Sequence, residues 1–417
     1  VVAAALWAVL PRARVVGTTV VAPLRGDRFG YLEPFMVPAL LGADGGRTWL
    51  VLQQNPAEAR GSGGLVDGYA VLTADRGRIT VTSTGTRSDL AKASIPTDAA
   101  SADTELLWGR RLDDWNTFNA SANFSLTAQL AAAGLASQGA PVSGVIGVDP
   151  VVLAAMLTAT GPVTVDGVTV DASNVESYLT ADIYRRYDDD AQRNEASTAL
   201  MAAVLRKFLA SSWDAASLID TMQEPVRQGR VHVWSAEANE QEWLIGTGIG
   251  GELPNIPGPI VAVAFNNAAT NKMDAFVGTE VHYTPGRCPT STQQASSLSV
   301  KVRNDAPVDL PDNGEYERQD NPAAPKGSTS LLVHVYAPIG ADLVSATIDG
   351  EPVQLTLGSE GQRPVWWTSV PINRDQQREV IVDFSEPTVL GVEPRVIPQP
   401  MVRDELVTIT PDPTCVP

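Results

Sequence analysis

The stretch RTWLVLQQNPAEARGSGGLVDGYAVLTADRGRITV, Arg47 to Val81, decides the reading of the fold. Thr48 to Leu52 is an apolar run rich in β-formers, Tyr69 to Thr73 alternates, and Arg78 to Val81 follows an Asp75-Arg76-Gly77 turn. The stretch therefore predicts three strands, joined by one long polar connection and one tight turn. The connection holds Gln53, Gln54, Asn55, Glu58 and Arg60, then Gly61, Gly63 and Gly64. A segment that only reverses direction does not need that many polar side chains, so it is the leading candidate for a site.

Downstream, helical and strand patterns alternate. Ser125 to Ala136 predicts a helix and Val142 to Val148 an apolar strand. Asp149 caps a helix beginning at Pro150, and Asp166-Gly167 turns a hairpin between two Val-Thr-Val runs. Helices follow over Val175 to Tyr184, Ala191 to Ala210, Asp214 to Arg227 and Glu237 to Gly246, with strands at Val231 to Trp234 and Ile260 to Phe265. From about Gly278 the hydrophobic period becomes two, with strands at Leu298–Val302, Leu331–Tyr336, Leu343–Ile348, Val353–Leu357, Val365–Val370 and Val380–Phe384. The polar, Pro-rich segment Val308 to Ser328 is a surface loop or a linker. The expected class is α+β: an N-terminal helical or stalk segment over 1–46, a mixed α/β domain with a central sheet over 47–285, and a β-sandwich over 286–417.

The chain has 417 residues, 44% apolar and 19% charged, enough for two or three domains with a sizeable core. A net charge of −18 argues against nucleic acid or an anionic membrane surface as the main partner. The only cysteines are Cys288 and Cys415. Both sit in Pro-rich, non-helical contexts, where a buried thiol is less natural than a disulfide. A bond between them would close a loop worth about 4–5 kcal/mol in the chain-entropy picture and would place the protein outside the cytoplasm.

Hydrolytic motifs of the G-x-S-x-G and H-E-x-x-H kinds are absent, and three histidines with two cysteines make a His- or Cys-ligated zinc site improbable. Three polar groups remain. In the first, Glu58 and Arg60 precede Gly63 and Gly64, and a guanidinium beside free backbone N–H groups suits an anionic oxygen. The alternative is an internal Glu58–Arg60 pair that fixes the turn. In the second, Arg110, Arg111, Asn119 and Asn123 lie near Trp115 and Phe118, as if to hold a sugar ring, or form a capped loop before the helix. In the third, Asn271, Lys272 and Asp274 follow the apolar run Ile260–Phe265, either as a site or as a turn held by Asx hydrogen bonds. If the runs Thr48–Leu52 and Ile260–Phe265 are parallel neighbours, Arg60 and Lys272 offer two cations to one anion. Asp274 would then orient Lys272 or hold a metal. Asp188-Asp189-Asp190 reads as a solvated loop.

The segments QNPAEARGSGGLVDGYAVL, NASANFSLTAQL, GVIGVDPVVLAAMLTATGPVTVDG, NVESYL, NNAATNKMD and IPQPMVRDE resemble, in order, the actinobacterial envelope proteins grouped as domain of unknown function family 4012. Asn123 stands where that family usually has an acidic residue. The resemblance implies an N-terminal membrane helix preceding this region and a place outside the plasma membrane. A weaker resemblance, through GVIGVDPVVLAAMLTATGPVTVDG and Ser94-Ile-Pro-Thr-Asp98, is to LytR–CpsA–Psr phosphotransferases, which bind a lipid pyrophosphate with arginines and magnesium; Thr97 replaces an Arg of that pattern. The resulting expectation is a membrane-anchored envelope protein that binds or assembles a surface glycopolymer, with an anionic glycopolymer or lipid-pyrophosphate-linked saccharide as partner. The alternative is a structural, filament-forming homo-oligomer that uses the sandwich as its interaction module.

Overall fold

The structure, a computed structural model, describes residues 14–16, 19–21, 36–96, 101–109, 112–212, 215–287 and 292–410. Ahead of the first large sheet are a short antiparallel pair, Arg14–Val16 with Thr19–Val21, and a helix at Met36–Leu40.

The first sheet is built around β1 (Arg47–Asn55). β2 (Leu65–Asp75) and β3 (Arg78–Thr86) follow it as an antiparallel meander, and the turn into β3 has Arg76 at φ 47° and Gly77 at φ 81°, as a type I′ turn requires. On its other side β1 pairs in parallel with β4 (Gly144–Val148), which pairs antiparallel with β5 (Val231–Ser235). The strand order is β3-β2-β1-β4-β5. Helix α1 (Ala102–Trp108) precedes α2 (Phe124–Ser137), whose N-cap is Asn123. Asp149 caps α3 (Pro150–Thr160) by accepting from the N–H groups of Val151 and Val152, with Pro150 at the position that needs no N–H donor. The polypeptide then makes a one-turn hairpin (Val163–Val165 with Val168–Val170), an irregular helix with a π-helical turn at Tyr178–Asp182, then α4 (Asp190–Ala210), α5 (Ala215–Arg227) and α6 (Ala238–Thr247). One face of the sheet, with Trp49, Val51, Ile146 and Val148, packs on Leu153, Met156, Leu200 and Val204 of α3 and α4. The opposite face, with Leu50, Leu52 and Val145, packs on Phe124 and Leu130 of α2.

Two further sheets form a sandwich. One has the order β12-β13-β9-β6-β15, from β6 (Ile260–Asn267), β9 (Thr329–Tyr336), β12 (Thr356–Glu360), β13 (Arg363–Ile372) and β15 (Arg395–Ile397). The other has the order β11-β10-β14-β8-β7-β16, from β7 (Val277–Arg287), β8 (Gln293–Asn304), β10 (Asp342–Ile348), β11 (Glu351–Pro352), β14 (Gln377–Pro387) and β16 (Leu406–Ile409). Val263, Phe265, Val281, Val300, Val333 and Val382 fill the space between them.

β6 explains two departures from expectation. Its run IVAVAF is buried on both sides: Val261, Val263 and Phe265 face the sandwich core, whereas Ala262 and Ala264 pack with Leu50 and Phe124 of the α/β layer. A continuous apolar run reports two-sided burial but not which sheet provides it. β6 therefore pairs with β9 and β15, not with β1, so the two runs expected to be parallel neighbours lie in different sheets. The boundary drawn at 285/286 falls inside the sandwich, because β6 and β7 already belong to its two sheets.

Candidate functional site

The polar connection after β1 is a buried joint between the α/β sheet and the sandwich. Every residue from Val51 to Gly68 is buried. Ala59 packs in the sandwich core, and its carbonyl accepts from the N–H of Asn267, 2.9 Å away. Arg60, 3% exposed, spends its donors internally: Nη2 on Glu58 at 2.7 Å, Nε on the Asn116 carbonyl at 2.8 Å and Nη1 on its own neighbour's carbonyl at Ala59. The structure thus adopts the internal-pair alternative, and Arg60 has no free fork for an anion. Gly63 and Gly64 do not cradle a ligand either. The Gly63 N–H bonds the Arg60 carbonyl, and a Cβ on Gly64 would come within 2.4 Å of the Asn55 backbone, so these glycines allow a close chain crossing.

The other two groups resolve in the same way. Asn119 donates to the Gly64 carbonyl at 2.7 Å and is fully buried. Asn123 accepts from the Ser125 N–H as the α2 cap, the capped-loop alternative. Arg110, Arg111, Cys288 and Cys415 lie outside the described residues. Asp274 is fully buried; its Oδ2 accepts from the Ala59 N–H and from Asn267 Nδ2, both at 2.8 Å. Asn271 donates to the Ser328 carbonyl. Burial pushes the Asp274 carboxyl up to about 7, against the lowering effect of those hydrogen bonds.

Lys272 and Glu58 do meet, as expected, although by a different geometry: Lys272 Nζ lies 2.7 Å from Glu58 Oε2. Burial alone would raise the Glu58 carboxyl, but Lys272 and Arg60 together hold it down at about 2. Burial opposes the charge on Lys272, and Glu58, Asp67 and Glu315 together more than restore it, raising its ammonium above the usual lysine range.

This ion pair lies at the wall of a cleft of about 540 Å³. One side comes from the α/β layer: Asp67 on β2, Arg87 just after β3, and Asn194 and Ser197 on α4. The other comes from Thr270 and Lys272 and from the Pro-rich segment through Asn313, Glu315 and Gln319. That segment is a surface loop of the sandwich, between β8 and β9, and not a linker; it is pinned to the α/β layer. Tyr316 is buried in the α/β core, Asn313 donates to the Tyr184 carbonyl at 2.6 Å, and the Glu315 carbonyl accepts from the Lys272 N–H at 2.8 Å. Arg193 pairs with Asp190 and Glu315, both at 2.6 Å. The Tyr184 ring is flanked by two cations, Lys272 Nζ at 5.7 Å and the Arg193 guanidinium at 5.9 Å from its centroid. Apolar lining is confined to Leu179, Ile183 and this ring.

Two backbone irregularities border the cleft. Leu179 belongs to the π-helical turn, and Thr270 holds φ at +52°, a costly conformation for a β-branched residue. Sequence reasoning missed most of this wall. Asp188 to Asp190 looked like solvent-facing charge, yet Asp189 caps α4 and Asp190 pairs with Arg193. The available signal was an acidic N-cap, Asp189, with Arg193 four residues later and three residues after Asp190. Among the described residues, no group of three or more His, Cys, Asp or Glu is arranged to hold a metal ion. None of the three histidines lines the cleft. His232 stacks on Phe124, His334 stacks on Trp367 with Trp108 tilted against it, and His282 bonds Thr408.

The architecture is thus an α/β layer clasped to a β-sandwich through a buried polar turn, with a polar cleft at its edge. Residues 44–184, which carry that turn, match the family described as protein of unknown function (DUF4012). No curated protein matches the chain in sequence. Among solved structures it is similar to an M1 zinc metallopeptidase from Deinococcus radiodurans, at 12% identity over 28% of this chain and 21% of the other, with a TM-score of 0.16. It is also similar to a putative nutrient binding protein from Legionella pneumophila, at 8% identity over 30% of this chain and 44% of the other, with a TM-score of 0.18. The chain spans about a fifth of the metallopeptidase's length. The resemblance to LytR–CpsA–Psr phosphotransferases has no counterpart in these matches.

Proposed function

We propose that this chain is a glycan-binding protein of the cell envelope and that the cleft between α4 and the Pro-rich segment receives a stretch of a surface glycopolymer. The observation that carries the reading is the cleft's lining. Small-molecule pockets are mostly apolar; here amides, hydroxyls, carboxylates and cations come from both sides of the cleft. A polyhydroxylated ligand matches such a wall, because each hydroxyl both donates and accepts. Asn194, Ser197, Asn313 and Gln319 supply neutral partners, and the carboxylates accept from sugar hydroxyls. The π-turn and the strained Thr270 support the same location, since irregular backbone concentrates at functional sites.

The lining supports binding more than group transfer, because it holds no histidine base. It also favours a neutral or cationic glycan over the anionic one expected from sequence: six carboxylates line it against three cations. The extracytoplasmic place and the membrane anchor rest on the family resemblance; no helix among the described residues is long and apolar enough to cross a membrane. Calorimetric titration of the chain with a panel of envelope-type oligosaccharides tests the reading. Binding that Asn194→Ala with Gln319→Ala weakens, at unchanged thermal stability, supports it. Binding by no member of the panel, or binding indifferent to this pair, overturns it.

A further inference from the structure

We infer that a groove on the outer face of the sandwich binds a phosphate group. The groove shares no lining residue with the cleft above, so the inference stands apart from the glycan reading. It has a volume of about 270 Å³ and lies where the chain from Arg403 to Leu406 runs in beside β7 and β8. Three cations line it: Lys301 and Arg303 on β8, and Arg403. Lys301 and Arg303 are two positions apart on one strand and so share a face of the sheet. Asp305 brings Arg403 to them. Arg303 Nε donates to Asp305 Oδ1 at 2.5 Å, and Arg403 Nη1 donates to Asp305 Oδ2 at 2.7 Å. One carboxylate thus orients both guanidiniums and occupies one nitrogen of each. Their other nitrogens make no hydrogen bond among the described residues. Lys301 Nζ lies 3.9 Å from Glu379, too far for a hydrogen bond. Two further carboxylates line the groove. Asp404 is bound to Arg230 at 3.0 Å, and Glu280 is exposed opposite Lys301. The unspent capacity is mostly donor: two guanidinium edges and an ammonium. Three such groups match the three free oxygens of a phosphate ester, whereas a carboxylate offers two.

The second support is the floor. Gly278 pairs with Arg303 inside β7, where the register is regular. Its φ is not left-handed, and a Cβ there would meet no atom within 4 Å. Neither backbone conformation nor crowding within the chain calls for glycine, a residue that weakens a strand. A strand glycine without either cause marks a place where another molecule approaches the backbone closely.

Calorimetric titration of the chain at low salt with glycerol phosphate, inorganic phosphate and acetate tests the inference. Glycerol phosphate should bind more tightly than acetate, and its affinity should fall as salt is added. Arg303→Gln should weaken it about tenfold at unchanged thermal stability, because exposed ion pairs stabilise little. Gly278→Ala should also weaken it while keeping or raising the thermal midpoint, since the added methyl occupies the groove and suits the strand better. Vesicles of phosphatidylcholine, with and without phosphatidylglycerol, separate the sources. Sedimentation with the anionic vesicles that Arg303→Gln abolishes assigns a lipid headgroup. Binding of glycerol phosphate without sedimentation assigns a soluble phosphate ester, and binding of inorganic phosphate alone assigns the free ion. No binding of either phosphate at millimolar concentration, equal affinity for acetate, or binding indifferent to both substitutions overturns the inference and leaves the glycan reading untouched.

Discussion

Asp274→Asn should turn a pH-dependent weakness of the joint into a pH-independent one. Asp274 is fully buried, and its folded carboxyl is raised from 3.8 to about 7, with burial as the main cause. The sign follows from linkage. The folded chain holds this proton more tightly than the unfolded chain, so the contribution of the group is complete below about pH 4 and is lost as pH rises through about 7. At about 1.4 kcal/mol for each pH unit between the two values, the loss is about 4 kcal/mol at most. The geometry admits asparagine without a new clash of donors. Its carbonyl oxygen can take the place of Oδ2, keeping the bonds from the Ala59 N–H and Asn267, and its amino group then faces the Thr329 hydroxyl, 3.4 Å from Oδ1 in the parent. Urea unfolding of parent and variant across about pH 4 to pH 8 measures the difference directly. Other buried carboxyls titrate in both proteins and cancel. The variant should match the parent within about 1 kcal/mol at the acid end and exceed it by about 2–4 kcal/mol at the alkaline end. A difference that stays constant with pH would show that Asp274 is ionised in the folded chain, and the reasoning would fail.

Arg60→Ala should destabilise the chain by about 3–5 kcal/mol in denaturant titrations, because it strips a buried carboxylate of one of its two cations and leaves backbone carbonyls unpaired. Glycan affinity of the fraction that remains folded should not change; a selective loss of binding with intact stability would return Arg60 to the site. Gly64→Ala should lose about 1–3 kcal/mol, or fail to fold, since its Cβ would press on the backbone of Asn55 at 2.4 Å; a thermal midpoint equal to the parent's would show that the crossing can relax.

Most of the secondary structure was legible because it rests on local chemistry. The Asp149-Pro150 start, the Asp166-Gly167 hairpin and the period-two strands of the sandwich stand where the sequence predicts them. What local chemistry cannot carry is partnership between distant segments. IVAVAF reads correctly as a buried strand, yet its alternation of large valines with small alanines encodes a sandwich core on one side and a close-packed α/β layer on the other. Val353–Leu357, read as one strand, is instead broken: Val353 to Leu355 connects the short β11 to β12, which takes in Thr356 and Leu357. β15 and β16 escape notice because each is three or four residues long and pairs in parallel with a strand more than a hundred positions away.

The candidate site shows the same limit from the other side. Glu58 and Lys272 were expected together because their strands were expected side by side; they meet although the strands are in different sheets, since the turn after β1 inserts against the end of β6. A dense run of polar residues therefore has two physical meanings. Where the partners of its donors are backbone carbonyls of other segments, as for Arg60, Asn119 and Gln399, the run is a joint whose polar groups are consumed in fixing one register between two layers. Gln399, from the IPQP motif, bonds both the Arg60 and the Phe265 carbonyls, so that motif ties the turn to the sandwich. Where side chains stand on a cleft with part of their capacity unspent, as for Asp188 and Arg87, the run is available to a ligand. Sequence density marks both kinds equally. Only the account of where each donor and acceptor goes separates them, and here it moves the candidate site from the glycine-rich turn to the wall formed by α4 and the Pro-rich segment.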